Sequence, residues 1–230
     1  MKIDIVTLFP KMFKSPFNES IINRAIKKKI IDLKIHNLRD FAIDNYGSVD
    51  DKPFGGDVGM LIRVEPVYKV LKKITNDQFL IPNKKRRIIL MSARGQRFDQ
   101  TKAEELAKLD NLILIAGHYE GFDQRVSDYM VNEEISIGDY VLTGGELPAM
   151  VVADAVARLV PGVLGKDESN KIESWSEIEI DGKKIRTVEY PQYTRPQEFM
   201  GYKVPKVLIS GDPKKIKDWQ RDQIKKGFQK

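Results

Sequence analysis

The sequence predicts an α/β protein followed by a small basic domain. Strand-length apolar segments alternate with helical segments through the first two thirds of the 230 residues, which is the pattern of an α/β sheet. Residues 203–230 carry nine lysines and arginines against three aspartates, and this excess of six equals the net charge of the whole chain. A neutral body with a basic end is typical of a protein with a polyanionic partner, although a solvated lysine-rich helix has the same composition.

Composition and missing motifs exclude several classes of site. The chain has no cysteine, so it cannot form a disulfide, a cysteine–zinc site, an iron–sulfur cluster or a thiol nucleophile. Its two histidines, His36 and His118, are too few for a histidine-rich metal site. The fingerprints G-x-G-x-x-G, G-x-x-x-x-G-K-[ST], G-x-S-x-G and H-E-x-x-H are all absent. Their absence argues against a dinucleotide-binding Rossmann domain, a P-loop NTPase, an ordinary α/β-hydrolase and a zinc peptidase.

No segment has the character of a membrane span or a secretion signal. The longest apolar runs are about strand length, whereas a span needs roughly 18 consecutive apolar residues. Asp4 interrupts the N-terminal segment where a signal peptide needs an apolar stretch. We therefore expect a cytoplasmic protein without a membrane partner.

The first 74 residues are predicted to form two strands and two helices. Residues 2–9 alternate and are rich in β-branched side chains until Pro10 interrupts them, as in a strand. Residues 20–29 place apolar side chains at helical spacing and end in three lysines, which suit the C-terminal end of a helix dipole. A second strand is predicted at 31–35, an irregular polar segment at 39–59 and a second helix at 65–74.

The middle of the chain alternates strand and helix. Residues 87–91 and 112–116 are apolar and of strand length, and residues 101–108 between them form a helical pattern. The longest helix is predicted at 147–160, where Pro148 suits the first turn. Its predicted buried face consists of Val151, Val152, Ala155, Val156 and Leu159.

The last part of the chain is predicted to contain a linker, a hairpin and a basic helix. Residues 166–170 are polar, and Asp181-Gly182 separates two alternating runs within 178–188. Asp212-Pro213 is a capping residue followed by proline at the first helical position, and the helix they start is predicted to end at Gly227. We divide the chain into a domain at 1–165, a linker at 166–188 and a C-terminal domain at 189–230.

Glycine is concentrated in three loops. These are residues 50–60, residues 117–121 directly after a buried strand, and residues 138–148 directly before the longest helix. Glycine after a strand lets the backbone approach a ligand closely, and ligands of parallel sheets bind at the carboxyl ends of strands. Tight turns would explain each loop alone, but three together favour a small-molecule pocket. His118 within these loops is either an ordinary loop side chain or a catalytic base.

Seven segments along nearly the whole chain are distinctive. They are VTLFP at 6–10, VDDKPFGG with GM at 49–60, GHYEG at 117–121, IGDYVLTGGELPAM at 137–150, DAVARLVPGVLG at 154–165, YPQYTRP at 190–196 and VPKVLISG at 204–211. In matching order, they resemble the bacterial tRNA (guanine-37-N1)-methyltransferase family, TrmD, and the segment at 137–165 is specific enough to indicate the family alone.

The resemblance implies both a fold and an activity. The fold would be that of SPOUT methyltransferases: an α/β sheet with a deep trefoil knot, here within 86–165, plus a small helical, basic C-terminal domain. The activity would be S-adenosylmethionine-dependent methylation of N1 of guanine 37, 3′ of the anticodon in tRNA, by a homodimer with its active site at the subunit interface. The family also implies Mg²⁺, although the sequence contains no recognisable set of metal ligands. There are two alternatives: a SPOUT enzyme that modifies another RNA, and a non-catalytic RNA-binding module.

The resemblance also implies the residues of the site. Asp50, Gly55, Gly59, Met60 and Ser174 would contact the target RNA, and Lys214, Lys215 and Lys217 would contact phosphates. The cofactor would lie against Met91, Ser92, Gly117, Tyr119, Glu120, Ile137, Gly138, Tyr140, Leu142, Gly144, Gly145 and Pro148.

Two further residues match the catalytic positions of the family. Deprotonation of guanine N1 makes it a nucleophile and places negative charge on O6, so the reaction needs a carboxylate base and a cation near O6. Arg158 matches the arginine of the family. Glu173 stands where the family has an aspartate, and its carboxylate can take the same proton.

Overall fold

The computed structural model describes residues 1–164, 173–180 and 182–228. The chain divides into two compact units, Met1–Gly165 and Lys166–Lys230. The predicted linker at 166–170 and Asp181 of the predicted hairpin turn lie outside the described residues.

A five-stranded parallel sheet forms the centre of the first unit. Its strands are β1 (Lys2–Thr7), β2 (Asp32–Asn37), β5 (Arg86–Arg97), β6 (Asn111–Ile115) and β7 (Glu133–Ser136), and β3 (Asp50–Asp51) and β4 (Leu61–Ile62) form a separate antiparallel ribbon. The strand order in the sheet is β2-β1-β6-β5-β7, and each neighbouring pair is parallel. Because all five strands run the same way, the segments that follow them emerge at one edge of the sheet.

Helices cover both faces of this sheet. They are α1 (Lys14–Phe17), α2 (Ser20–Lys27), α3 (Val64–Ile74), α4 (Gln100–Leu106), α5 (Gln124–Tyr129) and α6 (Glu146–Ala157). Side chains cap two of the helix N-termini: Asp99 Oδ1 accepts a hydrogen bond from Lys102 N at 2.8 Å, and Asp123 Oδ1 accepts one from Arg125 N at 2.9 Å. Each cap satisfies a backbone donor that has no partner inside the helix.

The core consists of two apolar clusters, one on each face of the sheet. Alternate residues of one strand enter different clusters, as Leu114 and Ile115 of β6 do. Helix α6 contributes Val152 to the first cluster, and α3 contributes Val67 to the second. This arrangement explains why the central strands are apolar throughout, since both of their faces are covered.

The structure corrects three details of the sequence prediction. Helix α6 ends at Ala157, with Arg158 as its C-cap, rather than at residue 160. Val151, expected on the buried face, is 48% exposed. Strand β5 continues beyond Met91, across a register shift before Gln96, to Arg97.

The second unit contains two ribbons and one long helix. Strands β8 (Glu177–Ile180) and β9 (Lys183–Arg186) pair antiparallel, as do β10 (Glu198–Phe199) and β11 (Tyr202–Lys203). Helix α7 (Pro213–Phe228) begins at the predicted cap, where Asp212 Oδ1 accepts hydrogen bonds from the backbone N–H groups of Lys214 and Lys215 at 3.1 and 3.2 Å. Within the described residues, no helix has both the length and the apolar character that a bilayer span requires.

Candidate functional site

A cavity of about 650 Å³ opens where β6 and β7 end and where β5 passes through its register shift after Met91. Its walls come from residues 90–94, 117–124, 135–138 and 140–145, together with Leu61, Ser127 and Pro148. The volume lies within the range of roughly 300–1,000 Å³ that is usual for small-molecule sites. The position agrees with the general rule that parallel sheets bind ligands at the carboxyl ends of their strands.

The structure brings all twelve residues of the expected cofactor site to the wall of this single cavity. They are Met91, Ser92, Gly117, Tyr119, Glu120, Ile137, Gly138, Tyr140, Leu142, Gly144, Gly145 and Pro148. Two of the three glycine-rich loops therefore meet at the same place, one after β6 and the other between β7 and α6.

These two loops are in direct backbone contact. Gly145 N donates a hydrogen bond to Gly117 O at 2.7 Å. A Cβ atom on Gly145 would lie 2.7 Å from Gly117 N and 3.0 Å from the Cα atom of Ala116. Only glycine allows such a close approach of two backbones, so the glycine at 145 is required by the way the cavity is closed.

Tyr119 has an uncommon backbone conformation within the same wall. Its φ is +60°, in the left-handed region that side chains other than glycine enter at a cost of about 1–2 kcal/mol. The tyrosine ring packs edge-on against His118 with 5.4 Å between ring centroids, and the His118 ring packs edge-on against Phe9 at 4.7 Å. These contacts hold the loop in the shape that lines the cavity.

Several lining residues were not found from the sequence, and they add charge to the cavity. A side-chain hydrogen bond from Arg125 holds the pKa of Asp123 below its ordinary value, so this carboxylate is ionised at neutral pH. Arg94 is the only lysine or arginine among the described residues of the wall, and its Nη2 donates to Gln124 Oε1 at 3.1 Å. Asp123 and Gln124 were not predicted as site residues. They lie at the start of helix α5, which has too few apolar residues to show a helical pattern.

The loop expected to face the target guanine lies partly against this cavity. Glu120 N donates to Met60 O at 3.1 Å, and Gly59 leaves no room for a Cβ beside the Glu120 side chain. Asp50 lies in β3, paired with Ile62 of β4. Gly55 is exposed, and a Cβ atom added there would have no atom of the described residues within 4 Å. Gly59 and Met60 are thus the members of this loop that reach the cavity wall.

The two expected catalytic residues lie in different units. Arg158 is half-buried at the C-cap of α6, and it is absent from the described wall of the cavity. Glu173 belongs to the second unit, where its carbonyl oxygen accepts a hydrogen bond from Ser176 Oγ at 2.6 Å. Ser174 Oγ accepts one from Glu189 N at 3.2 Å.

The expected phosphate-binding lysines lie at the beginning of α7. Lys214, Lys215 and Lys217 are all exposed, and Lys215 Nζ lies 3.3 Å from Asp212 Oδ2. The aromatic ring of Tyr193, in the aromatic and proline-rich segment 190–196, lies 6.3 Å from that of Trp219 in the same helix. This contact joins the segment to α7.

Comparison with known proteins extends over the whole chain. The family described as tRNA (Guanine-1)-methyltransferase TrmD matches residues 1–230. A tRNA (guanine-N(1)-)-methyltransferase of Dehalococcoides mccartyi is 49% identical over 224 residues, covering 97% of this chain and 85% of the relative. Proteins of the same name from Carboxydothermus hydrogenoformans (50% identical, 97% of this chain and 82% of the relative) and Dictyoglomus turgidum (47% identical, 100% and 88%) are similar. The chain therefore belongs to the tRNA (guanine-1)-methyltransferase TrmD family.

Proposed function

We propose that this chain methylates N1 of guanine 37, the base 3′ of the anticodon, in tRNA, with S-adenosylmethionine as the methyl donor. The observation that carries the proposal is the cavity at the ends of β6 and β7 and beside residues 90–94 of β5, whose wall includes every residue at which the family resemblance implies cofactor contact. Residues 1–165 would form the methyltransferase domain that holds the cofactor, and the reaction would take place in the cytoplasm, where tRNA is found.

The cavity suits this cofactor in size and in chemistry. About 650 Å³ accommodates a nucleoside with an amino-acid side arm. The glycine loops bring backbone donors and acceptors close to the bound molecule. The carboxylates of Glu120 and Asp123 provide negative charge in the wall. When bound, S-adenosylmethionine supplies a reactive methyl group on a positively charged sulfur.

The protein's own groups would act on the guanine. Neutral guanine N1 is a poor nucleophile because it carries a proton and its lone pair is delocalised. Glu173 would remove that proton as a general base, and Arg158 would stabilise the negative charge that then develops on O6. The target base has to leave the anticodon stack to reach the site, as in other enzymes that modify bases.

We also propose the deep trefoil knot within 86–165 and the homodimer. The chain that leaves β7 returns to the end of β6, where Gly145 bonds to Gly117, before it continues as α6. This path supports a knotted connection. Leu147 and Val151 of α6 are 51% and 48% exposed, an apolar surface on the first unit that supports burial against a second copy. One subunit's linker and C-terminal domain would complete the pocket of the other.

The C-terminal domain at 189–230 would bind tRNA through its basic helix. The exposed lysines at the start of α7 can neutralise phosphates, so binding should weaken as salt rises. Mg²⁺ is an additional requirement that the family resemblance implies. No cluster of three or more potential metal-ligating side chains occurs within residues 1–164, 173–180 and 182–228.

The proposal is tested by methyl transfer from labelled S-adenosylmethionine to two tRNA transcripts that differ only at position 37, followed by nucleoside analysis. We expect label in 1-methylguanosine with the transcript that carries guanine 37, and none with the transcript in which it is replaced. Equal labelling of both transcripts would indicate another target base. No labelling, together with no cofactor binding by calorimetry, would favour the non-catalytic module.

Two substitutions test the assigned catalytic roles. Arg158→Ala should abolish most turnover while cofactor affinity stays nearly unchanged, and Glu173→Gln should do the same. The matched controls are Arg24→Ala, which removes an exposed arginine from the last turn of α2, and Glu177→Gln, which removes a surface carboxylate paired with Lys184. Near-normal turnover in Glu173→Gln would show that another group takes the proton. A large loss of cofactor affinity in Arg158→Ala would contradict its role at O6.

A further inference from the structure

Glu146 is a buried carboxylate to which the proposed reaction gives no role. Its side chain is 2% exposed. The other fully buried carboxylate within the described residues, Asp4, lies 2.8 Å from both Lys2 Nζ and His36 Nε2. A buried charge is costly unless polar groups surround it. The polar groups around the two carboxylate oxygens of Glu146 therefore indicate why a charge is kept at this buried position.

One oxygen of Glu146 is held by the end of strand β1. Thr7 Oγ1 donates to Glu146 Oε1 at 2.9 Å, and Thr7 Oγ1 itself accepts a hydrogen bond from Phe9 N at 2.9 Å. Glu146 is also the first residue of α6, where the positive end of the helix dipole stabilises a carboxylate. The Glu146 carboxylate is thus held by strand β1 and stabilised by the N-terminus of α6.

The other oxygen of Glu146 faces both loops that line the cavity. Oε2 lies 3.8 Å from Nδ1 of His118, a buried ring nitrogen that has no hydrogen-bond partner among the described residues. Gly144 passes so close that an added Cβ would collide with Oε2 and would lie 2.6 Å from His118 Nδ1. Glu146, His118 and Gly144 therefore converge at the point where the loop after β6 meets the loop before α6.

We propose that Glu146 is a positioning residue for S-adenosylmethionine, acting through His118 and Gly144; this rests on the proposed function. Its carboxylate lies 3.8 Å from Nδ1 of His118 and leaves Gly144 no room to move inward. The two loops then keep one spacing, which sets the width of the cavity. Because Glu146 acts through its neighbours, its loss should impair cofactor binding more than the chemical step.

Steady-state kinetics of Glu146→Gln test the proposal. Glutamine has the same shape and can still accept the Thr7 hydrogen bond, but it lacks the charge that faces His118. We expect the KM for S-adenosylmethionine to rise about tenfold while kcat changes less than about threefold, as is typical when a supporting residue is removed. The matched control is Glu19→Gln, the same change at the exposed N-cap of α2, which should leave both constants unaltered.

His118→Gln provides a second and independent variant. His118 is 28% exposed, so its replacement should not prevent folding even if Glu146→Gln does. We expect a similar rise in KM, and no further rise when the two substitutions are combined, because both break one interaction. A wild-type KM in either folded single variant, or additive effects in the double variant, would overturn the positioning role.

The two proposals fail in different ways. If the wild-type protein neither binds S-adenosylmethionine nor methylates tRNA, the proposed function is wrong. If the wild-type protein does both and Glu146→Gln matches it in KM, the proposed function stands and the role of Glu146 is wrong. Thermal unfolding of each variant shows whether a changed KM comes from a folded protein.

Discussion

Replacing Gly145 by alanine tests whether the spacing between the two cavity loops determines cofactor binding. The backbone of Gly145, with φ −83° and ψ −1°, is accessible to any residue. Alanine would therefore introduce no backbone strain at this position. If the backbone were the only consideration, alanine would stabilise the protein by about 0.4–1 kcal/mol, because it restricts the unfolded chain. The added methyl group, however, would lie 2.7 Å from Gly117 N, and a backbone atom cannot rotate away.

The expected effects follow from that distance. Ordinary van der Waals contact begins at 3.4 Å, so the loops must separate by up to about 0.7 Å, which also stretches the hydrogen bond from Gly145 N to Gly117 O. Overpacking of this kind costs about 1–3 kcal/mol, which lowers the melting temperature by several degrees in a protein of this length. Since a displacement of about 1 Å can cost a factor of 10² in function, we expect cofactor affinity to fall about 10- to 100-fold.

Calorimetric titration with S-adenosylmethionine and scanning calorimetry measure these two effects separately. The matched control is Gly47→Ala. Gly47 has φ +82° and no atom within 4 Å of an added Cβ, so alanine there introduces backbone strain without a collision. The control should melt earlier and keep its cofactor affinity. A folded Gly145→Ala protein with wild-type affinity would refute the reasoning.

Two further predictions concern charge. Because the hydrogen bond from Arg125 lowers the pKa of Asp123 below its unfolded value of 3.8, the ionised side chain adds stability above that pH and loses it as the pH falls through the lowered pKa. Asp123→Asn keeps the helix cap but removes the charge. Urea unfolding should therefore show a lower free energy of unfolding than the wild type at pH 7, and the difference should disappear in strong acid. A difference that does not change with pH would contradict this origin. Replacing the three exposed lysines at the start of α7 by alanine should reduce the slope of log affinity for tRNA against log salt concentration by about two to three units. The same change in the three lysines at 27–29 is its control, and an equal reduction there would argue against α7 as the tRNA contact.

The central strands could be predicted from the sequence, whereas one edge strand and a short helix could not. Strand β6 is apolar throughout because both of its faces are covered. Strand β7, at the edge of the sheet, reads Glu-Glu-Ile-Ser, and its single apolar residue, Ile135, enters the core. Lys102 offsets part of its charge, with Nζ 3.0 Å from Glu133 Oε2. Helix α5 is six residues long and buries only Val126, too few for a helical period to appear.

Helix α6 shows why the sequence pattern predicted only part of its buried face, since Val152 and Val156 are buried as predicted whereas Val151 is exposed. The helix is apolar on nearly all sides, so hydrophobic periodicity does not select one face. The face that the sheet covers consists of Ala149, Val152, Ala153, Val156 and Ala157, in which three of the five residues are alanines. Val151, a larger residue outside this face, fitted the apolar pattern equally well, although the fold of one chain leaves it exposed.

The site combines features that a sequence displays with others that it does not. Glycine-rich loops after strands are visible in the sequence, and they predict a pocket independently of the family resemblance. Backbone hydrogen bonds decide which loops meet: Gly145 N to Gly117 O at 2.7 Å, Glu120 N to Met60 O at 3.1 Å and Ile62 N to Gly121 O at 2.8 Å. Every residue type except proline carries these donors and acceptors, so no side-chain pattern encodes the pairing. The parallel sheet explains the first of these bonds, because it places the ends of β6 and β7 at one edge and so leaves the loops that follow them within bonding distance of each other.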